Sequence, residues 1–176
     1  TARAGNVVGG GDFARDRLVP DCIRAFAAGA PVTLRYPDAI RPFQHVLDPL
    51  AGYLSLAERL HAGEEEAGAA WNFGPEAGGE APVAAVAHRL AAIWGEGAAV
   101  NVAETPGPHE AGILRLDSTK ARSLLGWRPV WGLEETLNQT AQWYRDWHLG
   151  ADMTARTCDE IARFEADHAT LHDRAY

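Results

Sequence analysis

Cysteine is scarce. The two present, Cys22 and Cys158, stand far apart with no Cys-x-x-Cys spacing, which argues against a disulfide framework or a zinc knuckle and leaves buried or idle thiols. Long apolar runs are missing too: nothing approaches the roughly 20 residues of a membrane span. The first residues carry neither a basic n-region nor an apolar h-region, so a cytoplasmic setting without a membrane partner is expected. There is no excess of basic charge. With 24 acidic residues against 16 Lys and Arg, the net charge of −8 argues against nucleic acid as a partner. An initiator methionine is absent as well, and the chain opens on what reads as the middle of a strand, so further sequence is expected before Thr1.

What is present is enough for one core. A chain of 176 residues, 47% of them hydrophobic, fits one domain or a piece of a larger one. Its charge is unevenly spread. Residues 1 to 41 hold Arg3, Arg15, Arg17, Arg24, Arg35 and Arg41 against Asp12, Asp16, Asp21 and Asp38, a local +2 that leaves −10 for the remainder. The local field is the one a small anionic ligand meets. Within this segment Val7 and Val8 have strand character, and Gly9-Gly10-Gly11 follow before Pro20 enters a helix. Such a loop is either an ordinary strand-to-helix connection or a seat for an anion at a helix N-terminus.

Periodicity then alternates between helix and strand. Ile23, Phe26 and Ala27 share a helical face that Gly29 ends, and Val32 and Leu34 alternate with Thr33 and Arg35 before a turn at Pro37-Asp38. Asp48-Pro49 reads as an N-cap and first helical position, with Leu50, Tyr53, Leu54, Ala57 and Leu60 as the buried stripe. Glu64-Glu65-Glu66 is a solvated loop. Trp71 to Phe73 is a short strand. Pro82 opens a helix carrying Val83, Val86, Leu90 and Ile93 inward to Gly95, and weaker strands are expected at Ala99 to Val102 and at Leu114. Asp117 caps a short helix closed by Gly126. The last strongly periodic helix, about Leu133 to Leu149, turns Leu133, Leu137, Ala141, Tyr144 and Trp147 inward. His168 and His172 have metal-ligand spacing but no third ligand, so they read as a polar helix face and no metal site is expected. The whole reads as α/β.

Several of these stretches resemble the extended short-chain dehydrogenase/reductases that act on sugar nucleotides. Arg3-Ala4-Gly5-Asn6-Val7-Val8-Gly9 with Arg17-Leu18-Val19-Pro20 is similar to the segment after that family's catalytic Tyr and Lys. Ile40-Arg41-Pro42-Phe43-Gln44-His45-Val46-Leu47-Asp48 resembles its Arg-Asp-aromatic-x-His-Val-x-Asp segment. Trp71-Asn72-Phe73-Gly74 resembles its Asn-apolar-Gly strand end, and Asp117-Ser118-Thr119-Lys120-Ala121 with Leu124-Leu125-Gly126-Trp127-Arg128-Pro129 resembles a packing hallmark of the family. The resemblance implies the C-terminal part of a Rossmann-type fold with a small substrate-binding lobe, spanning residues 1–176. It also implies that Asn6 and Arg41 reach the diphosphate of a nucleotide-sugar substrate, with Arg17, Leu18, Val19, Arg35 and His109 as further substrate contacts and Ala4 and Gly5 against the nicotinamide of NAD. An arginine fork suits a phosphate better than lysine does. His45 is expected to be structural. The family's Arg-Pro-Gly is replaced by Thr105-Pro106-Gly107, with His109 as a partial substitute.

Two of the family's signatures are missing. Lys120 is the only lysine and Leu116 stands four residues before it, so no Tyr-x-x-x-Lys exists, and none of the eighteen glycines falls into a dinucleotide fingerprint. The expectation is a substrate-binding half of a 4,6-dehydratase, a lyase whose NAD-binding and catalytic part lies elsewhere. No catalytic residue is expected in this chain, and the complete protein is expected to be a homo-oligomer. A different sugar-nucleotide dehydratase or epimerase, or a non-catalytic nucleotide-sugar-binding module, fits the same residues.

Overall fold

The computed structural model describes residues 1–76, 78–95, 97–104 and 111–173, without the side chains of residues 172 and 173. In chain order the elements are β1 (Ala2–Ala4), β2 (Asn6–Val8), α1 (Leu18–Ala27), β3 (Val32–Leu34), β4 (Ile40–Arg41), β5 (Phe43–His45), α2 (Leu47–His61), β6 (Trp71–Phe73), β7 (Ala81–Pro82), α3 (Val83–Trp94), β8 (Val100–Val102), α4 (Leu133–His148) and α5 (Met153–Asp173). A short wide-turn helix at Ala121–Leu125 follows an Asp117 carboxylate that accepts the Thr119 N–H at 2.8 Å, and Gly126 closes it in the left-handed region. No helix among the described residues is long and apolar enough to cross a membrane.

The strands pair two by two. β1 with β6, β2 with β5, and β3 with β8 are parallel, whereas β4 with β7 is antiparallel. The expected single strand up to Val8 is therefore two strands with different partners. The break falls at Gly5, where a Cβ would lie 2.8 Å from the Pro42 carbonyl oxygen, so only glycine lets the chain cross from one ladder to the next. The weak strand at Ala99 to Val102 is present as β8, but Leu114 belongs to no strand. Its neighbour Ile113 makes an isolated bridge to Ile40.

Two apolar clusters form the interior. The larger gathers Ile23 and Phe26 of α1, Val32 and Leu34 of β3, Val86 and Leu90 of α3, and Leu137, Ala141 and Tyr144 of α4. The other joins Leu56 of α2, Trp71 and Phe73 of β6, and Ala121, Leu125 and Trp127. Lys120 lies outside this cluster, its Nζ 4.1 Å from the Trp71 ring centroid and bonded to the Ala70 carbonyl at 3.2 Å.

Helix faces differ from expectation in two places. The stripe expected to be buried on α2 is the wrong one: Leu50, Ala57 and Leu60 are exposed and Leu54 is 68% exposed, while Asp48, Pro49, Gly52 and Leu56 face inward. Gly52 decides the rotation, because a Cβ there would meet the Phe73 ring at 2.4 Å, so the helix approaches β6 through its smallest residue. On α4, Trp147 is 42% exposed and Trp143 takes the inward place.

Asp48 is not the N-cap of α2. That position belongs to Val46, and the Asp48 carboxylate is fully buried, accepting the Val130 N–H at 2.6 Å while Trp127 Nε1 donates to the Asp48 carbonyl at 3.0 Å. The residue staples the segment after Gly126 to the start of α2. Burial pushes its acid up to about pKa 7, against the lowering effect of the Val130 and Trp131 N–H groups.

Two outcomes follow from this packing. An aspartate whose folded pKa exceeds its unfolded value stabilises most while protonated: the contribution is complete below about pH 4 and is lost as pH rises through about 7. Thermal unfolding of Asp48→Asn should therefore show a melting-temperature difference from wild type that grows more favourable to the variant between pH 5 and pH 8. A difference that stays flat over that range would contradict the assignment. The second concerns Gly10, where a Cβ would lie 2.1 Å from the Trp143 ring, whereas at Gly112 nothing lies within 4 Å. In urea titrations Gly10→Ala should cost about 1–3 kcal/mol through overpacking, and Gly112→Ala should cost well under half of that.

Candidate nucleotide-sugar site

The glycine loop is the first surprise of the site. Gly9 and Gly10 are required by close packing, since added Cβ atoms would strike Val46 at 2.7 Å and Trp143 at 2.1 Å, and Gly11 turns the chain with φ at +83°. The loop is thus held from below by α4. Tyr144 adds a hydroxyl that donates to the Asp12 carbonyl at 2.5 Å, and its phenol is pushed up to about pKa 12 by burial and by the neighbouring Asp12. Partial burial opposes ionisation of Asp12, yet the Ala14 N–H and the Arg17 guanidinium hold its acid below the usual range. Arg17 and Asp12 form an ion pair of 2.9 Å.

Above this loop opens a cavity of about 770 Å³, bounded by β1 and β2, by the start of α1, by β4 and β5, and by the segment Leu114 to Leu116. Of the residues expected to meet a ligand, Ala4, Gly5, Asn6, Arg17, Leu18, Val19 and Arg41 all line it. Arg35 does not. It lines a smaller cavity of about 160 Å³ with Thr33 and Tyr36, which shares Asp16, Leu18 and Val83 with the large one. His109 lies outside the described residues. His168 stacks on Phe164 with ring centroids 6.2 Å apart, and the side chain of His172 lies outside the described part of the structure.

Arg41 is the most deeply placed of the cations. It is only 6% exposed and donates from Nη1 to the carbonyl of Ile40 at 2.9 Å, which holds its guanidinium against the strand. Asn6 lines the same cavity from β2: its N–H bonds to the Pro42 carbonyl at 3.1 Å, and it stands opposite Phe43 of β5. Four arginines (Arg3, Arg17, Arg41, Arg115) line the cavity against two aspartates (Asp12, Asp16), so its walls are basic on a chain of net −8.

Sequence reasoning missed Arg115, Tyr53 and Val83 as wall residues. The alternation Leu114-Arg115-Leu116 marks an extended segment, but nothing in it says what the arginine faces. Arg115 is exposed and only loosely tied, 3.9 Å from Glu80. Tyr53 comes from the α2 face whose rotation the apolar pattern misassigns, and burial pushes its phenol up.

For NAD the residues present fit a minor part only. Ala4 and Gly5 lie in the cavity wall, but the side of Gly5 that would accept a closely approaching group is filled by Pro42. No glycine-rich dinucleotide turn stands in the chain.

No protein-family model matches the chain. It is 42% identical over 164 residues to CDP-glucose 4,6-dehydratase of Salmonella typhimurium, a match covering 93% of this chain and 46% of that protein. The chain thus spans about half the length of the curated relative it matches. Among solved structures, UDP-glucuronic acid 4-epimerase of Bacillus cereus, in complex with UDP-glucuronic acid and NAD, superposes with a TM-score of 0.70 at 21% identity over 83% of this chain and 45% of that one. dTDP-glucose 4,6-dehydratase of Bacillus anthracis, in complex with NAD, does so with a TM-score of 0.66 at 19% identity over 82% and 44%. By sequence the chain is similar to about half of a sugar-nucleotide dehydratase, and its fold matches about half of the Rossmann-type fold of these epimerase and dehydratase structures.

Proposed function

We propose that this chain is the substrate-binding half of an NAD-dependent CDP-glucose 4,6-dehydratase. The observation that carries the reading is the basic cavity of about 770 Å³ whose walls bring together Asn6, Arg17 and Arg41, in a chain 42% identical over 93% of its length to that enzyme. A nucleoside diphosphate carries its charge on two adjacent phosphates. Arg41, buried and held at Nη1 by the Ile40 carbonyl, has a guanidinium whose orientation is largely fixed before the ligand arrives, which lowers the ordering cost of binding. Asn6 supplies a neutral amide from the opposite strand. Arg115, on the far wall, provides the second cation that the Thr105-Pro106-Gly107 sequence lacks, and its loose contact with Glu80 leaves it able to turn toward the ligand. Arg35 and Tyr36 in the adjoining smaller cavity extend the site toward the nucleoside.

Bound NAD would supply the redox chemistry at the sugar, and in this chain Ala4 and Gly5 are the residues that would lie against it. This chain's share is to hold the diphosphate and to wall off the reacting sugar with Ala4, Gly5 and the first turn of α1. The tyrosine that removes the C4 hydroxyl proton and the turn that seats the cofactor pyrophosphate come, on this reading, from the other half of the complete protein. Its docking surface is at hand. Among the described residues β1 pairs with β6 alone, and the exposed Leu50, Leu54 and Leu60 of α2 would each contribute about 1.5–3 kcal/mol on full burial. The complete enzyme is proposed to be a homo-oligomer.

Two measurements test this. In the complete protein, isothermal titration with CDP-glucose should show Arg41→Ala weakening binding by about 1.5–3 kcal/mol, roughly ten- to a hundredfold, with a smaller loss for Arg115→Ala. Equal affinity in Arg41→Ala would remove the diphosphate assignment, and equal turnover of CDP-, dTDP- and GDP-glucose would remove the cytidine one. The chain by itself, given NAD and CDP-glucose, should form no 4-keto sugar, and a separately made N-terminal half should restore formation. Keto-sugar from the chain alone contradicts the proposal, and binding without turnover in the presence of both halves would mark a nucleotide-sugar-binding module instead.

A further inference from the structure

Outside the residues that line the cavity, a chain of polar groups runs from α5 to β5. His45 is fully buried, and its Nδ1 accepts the Leu47 N–H at 3.3 Å, so the ring proton belongs on Nε2. Nε2 lies 3.1 Å from Oε1 of Glu160, itself only 6% exposed, a short contact rather than a straight hydrogen bond. The other oxygen of Glu160 is 3.0 Å from Nη1 of Arg156, whose Nε is 2.9 Å from Asp146 on α4. The ring of His45 also meets Trp131 edge-on at 4.7 Å, and Trp131 donates through Nε1 to Asp167 of α5 at 2.9 Å.

An apolar pair of similar volume would stabilise this interface at least as well, because burying a carboxylate and a guanidinium costs several kcal/mol that imperfect geometry does not return. What polar groups add is position. β5 has three residues and is buried on both faces, with Phe43 and His45 on one and Gln44 on the other. Gln44 Nε2 donates to the Phe73 carbonyl at 2.7 Å, which pins the strand from the β6 side. Glu160 pins it from the α5 side. A slip of one residue would exchange the two faces and strand both polar side chains, so the pair selects a single register. That register sets Asn6 against Phe43 and places Arg41 at the cavity wall.

We propose that Glu160 is a positioning residue: delivered by α5 to the Nε2 edge of His45, its carboxylate fixes the register of β5 on β2 and thereby the spacing of Asn6 and Arg41. The binding consequence rests on the nucleotide-sugar reading above, whereas the effect on the strand does not.

The test is amide hydrogen exchange by NMR in the full chain, with CDP titrated as the probe. In Glu160→Ala, the Asn6 and Val46 amides, which bond across the β2 to β5 ladder, should exchange at least tenfold faster, while the Val32 amide of the distant β3 to β8 ladder stays within twofold. CDP affinity should fall about tenfold, and Glu160→Gln, which keeps an acceptor oxygen, should restore most of both. Unchanged exchange at Asn6 and Val46, or equal acceleration at Val32, overturns the proposal. Should Glu160→Ala fail to fold, the ring nitrogens of wild-type His45 decide: a proton on Nε2 with Nδ1 bare supports the arrangement, and a proton on Nδ1 refutes it. If wild type takes up no CDP, the nucleotide reading fails and the exchange result alone judges Glu160.

Discussion

Everything near the site depends on β5 being buried on both faces while carrying two polar side chains out of three. A strand in that position cannot shed Gln44 or His45 into water, so each must find a partner in the interior or cost about 1–3 kcal/mol. The groups that meet them come from far along the chain: the Phe73 carbonyl that accepts from Gln44 lies 29 residues on, and Glu160, in short contact with His45, stands on the last described helix. The short strand is thereby clamped between the cluster around β6 and the one around α4. Arg41, two residues before Phe43, and Asn6, on the paired strand, inherit their placement from that clamp.

The glycines serve the same end by a different route. Gly5, Gly9, Gly10 and Gly52 are each positions where a methyl group would overlap a neighbour, namely Pro42, Val46, Trp143 and Phe73. They let strand, loop and helix close up until the cavity floor is held by side chains from α2, α4 and β5. A loop that looks built to cradle phosphate is built first to let α4 in. The basic character of the cavity comes instead from arginines on its walls.

How far this was legible in the sequence differs by kind of signal. Helices α1, α3 and α4 and strand β3 carried their periodicity openly, and turn glycines such as Gly29, Gly95 and Gly126 stand with positive φ where a helix ends. Asn6 and Arg41 were readable because they sit in long, specific motifs, and the structure brings both to one cavity. The rotation of α2 was not readable: its leucines advertise a core face, but the face carrying Gly52 gives closer approach to the Phe73 ring. The inward role of Asp48 was hidden for a related reason, since an aspartate before a proline carries a capping signal and nothing local reveals Val130, 82 residues away. Arg115 was missed because its place depends on the path of a segment without regular structure.

The near absence of lysine has a practical side. Lys120 holds the only side-chain primary amine in the sequence, and it rests over the indole of Trp71 on the strand beside β1. Acylation there removes a cation from an aromatic face and places an adduct next to the edge of the sheet. Among the side chains of these 176 residues an amine-reactive dye therefore has a single target, and its signal there reads the surroundings of β6 rather than an average over the surface.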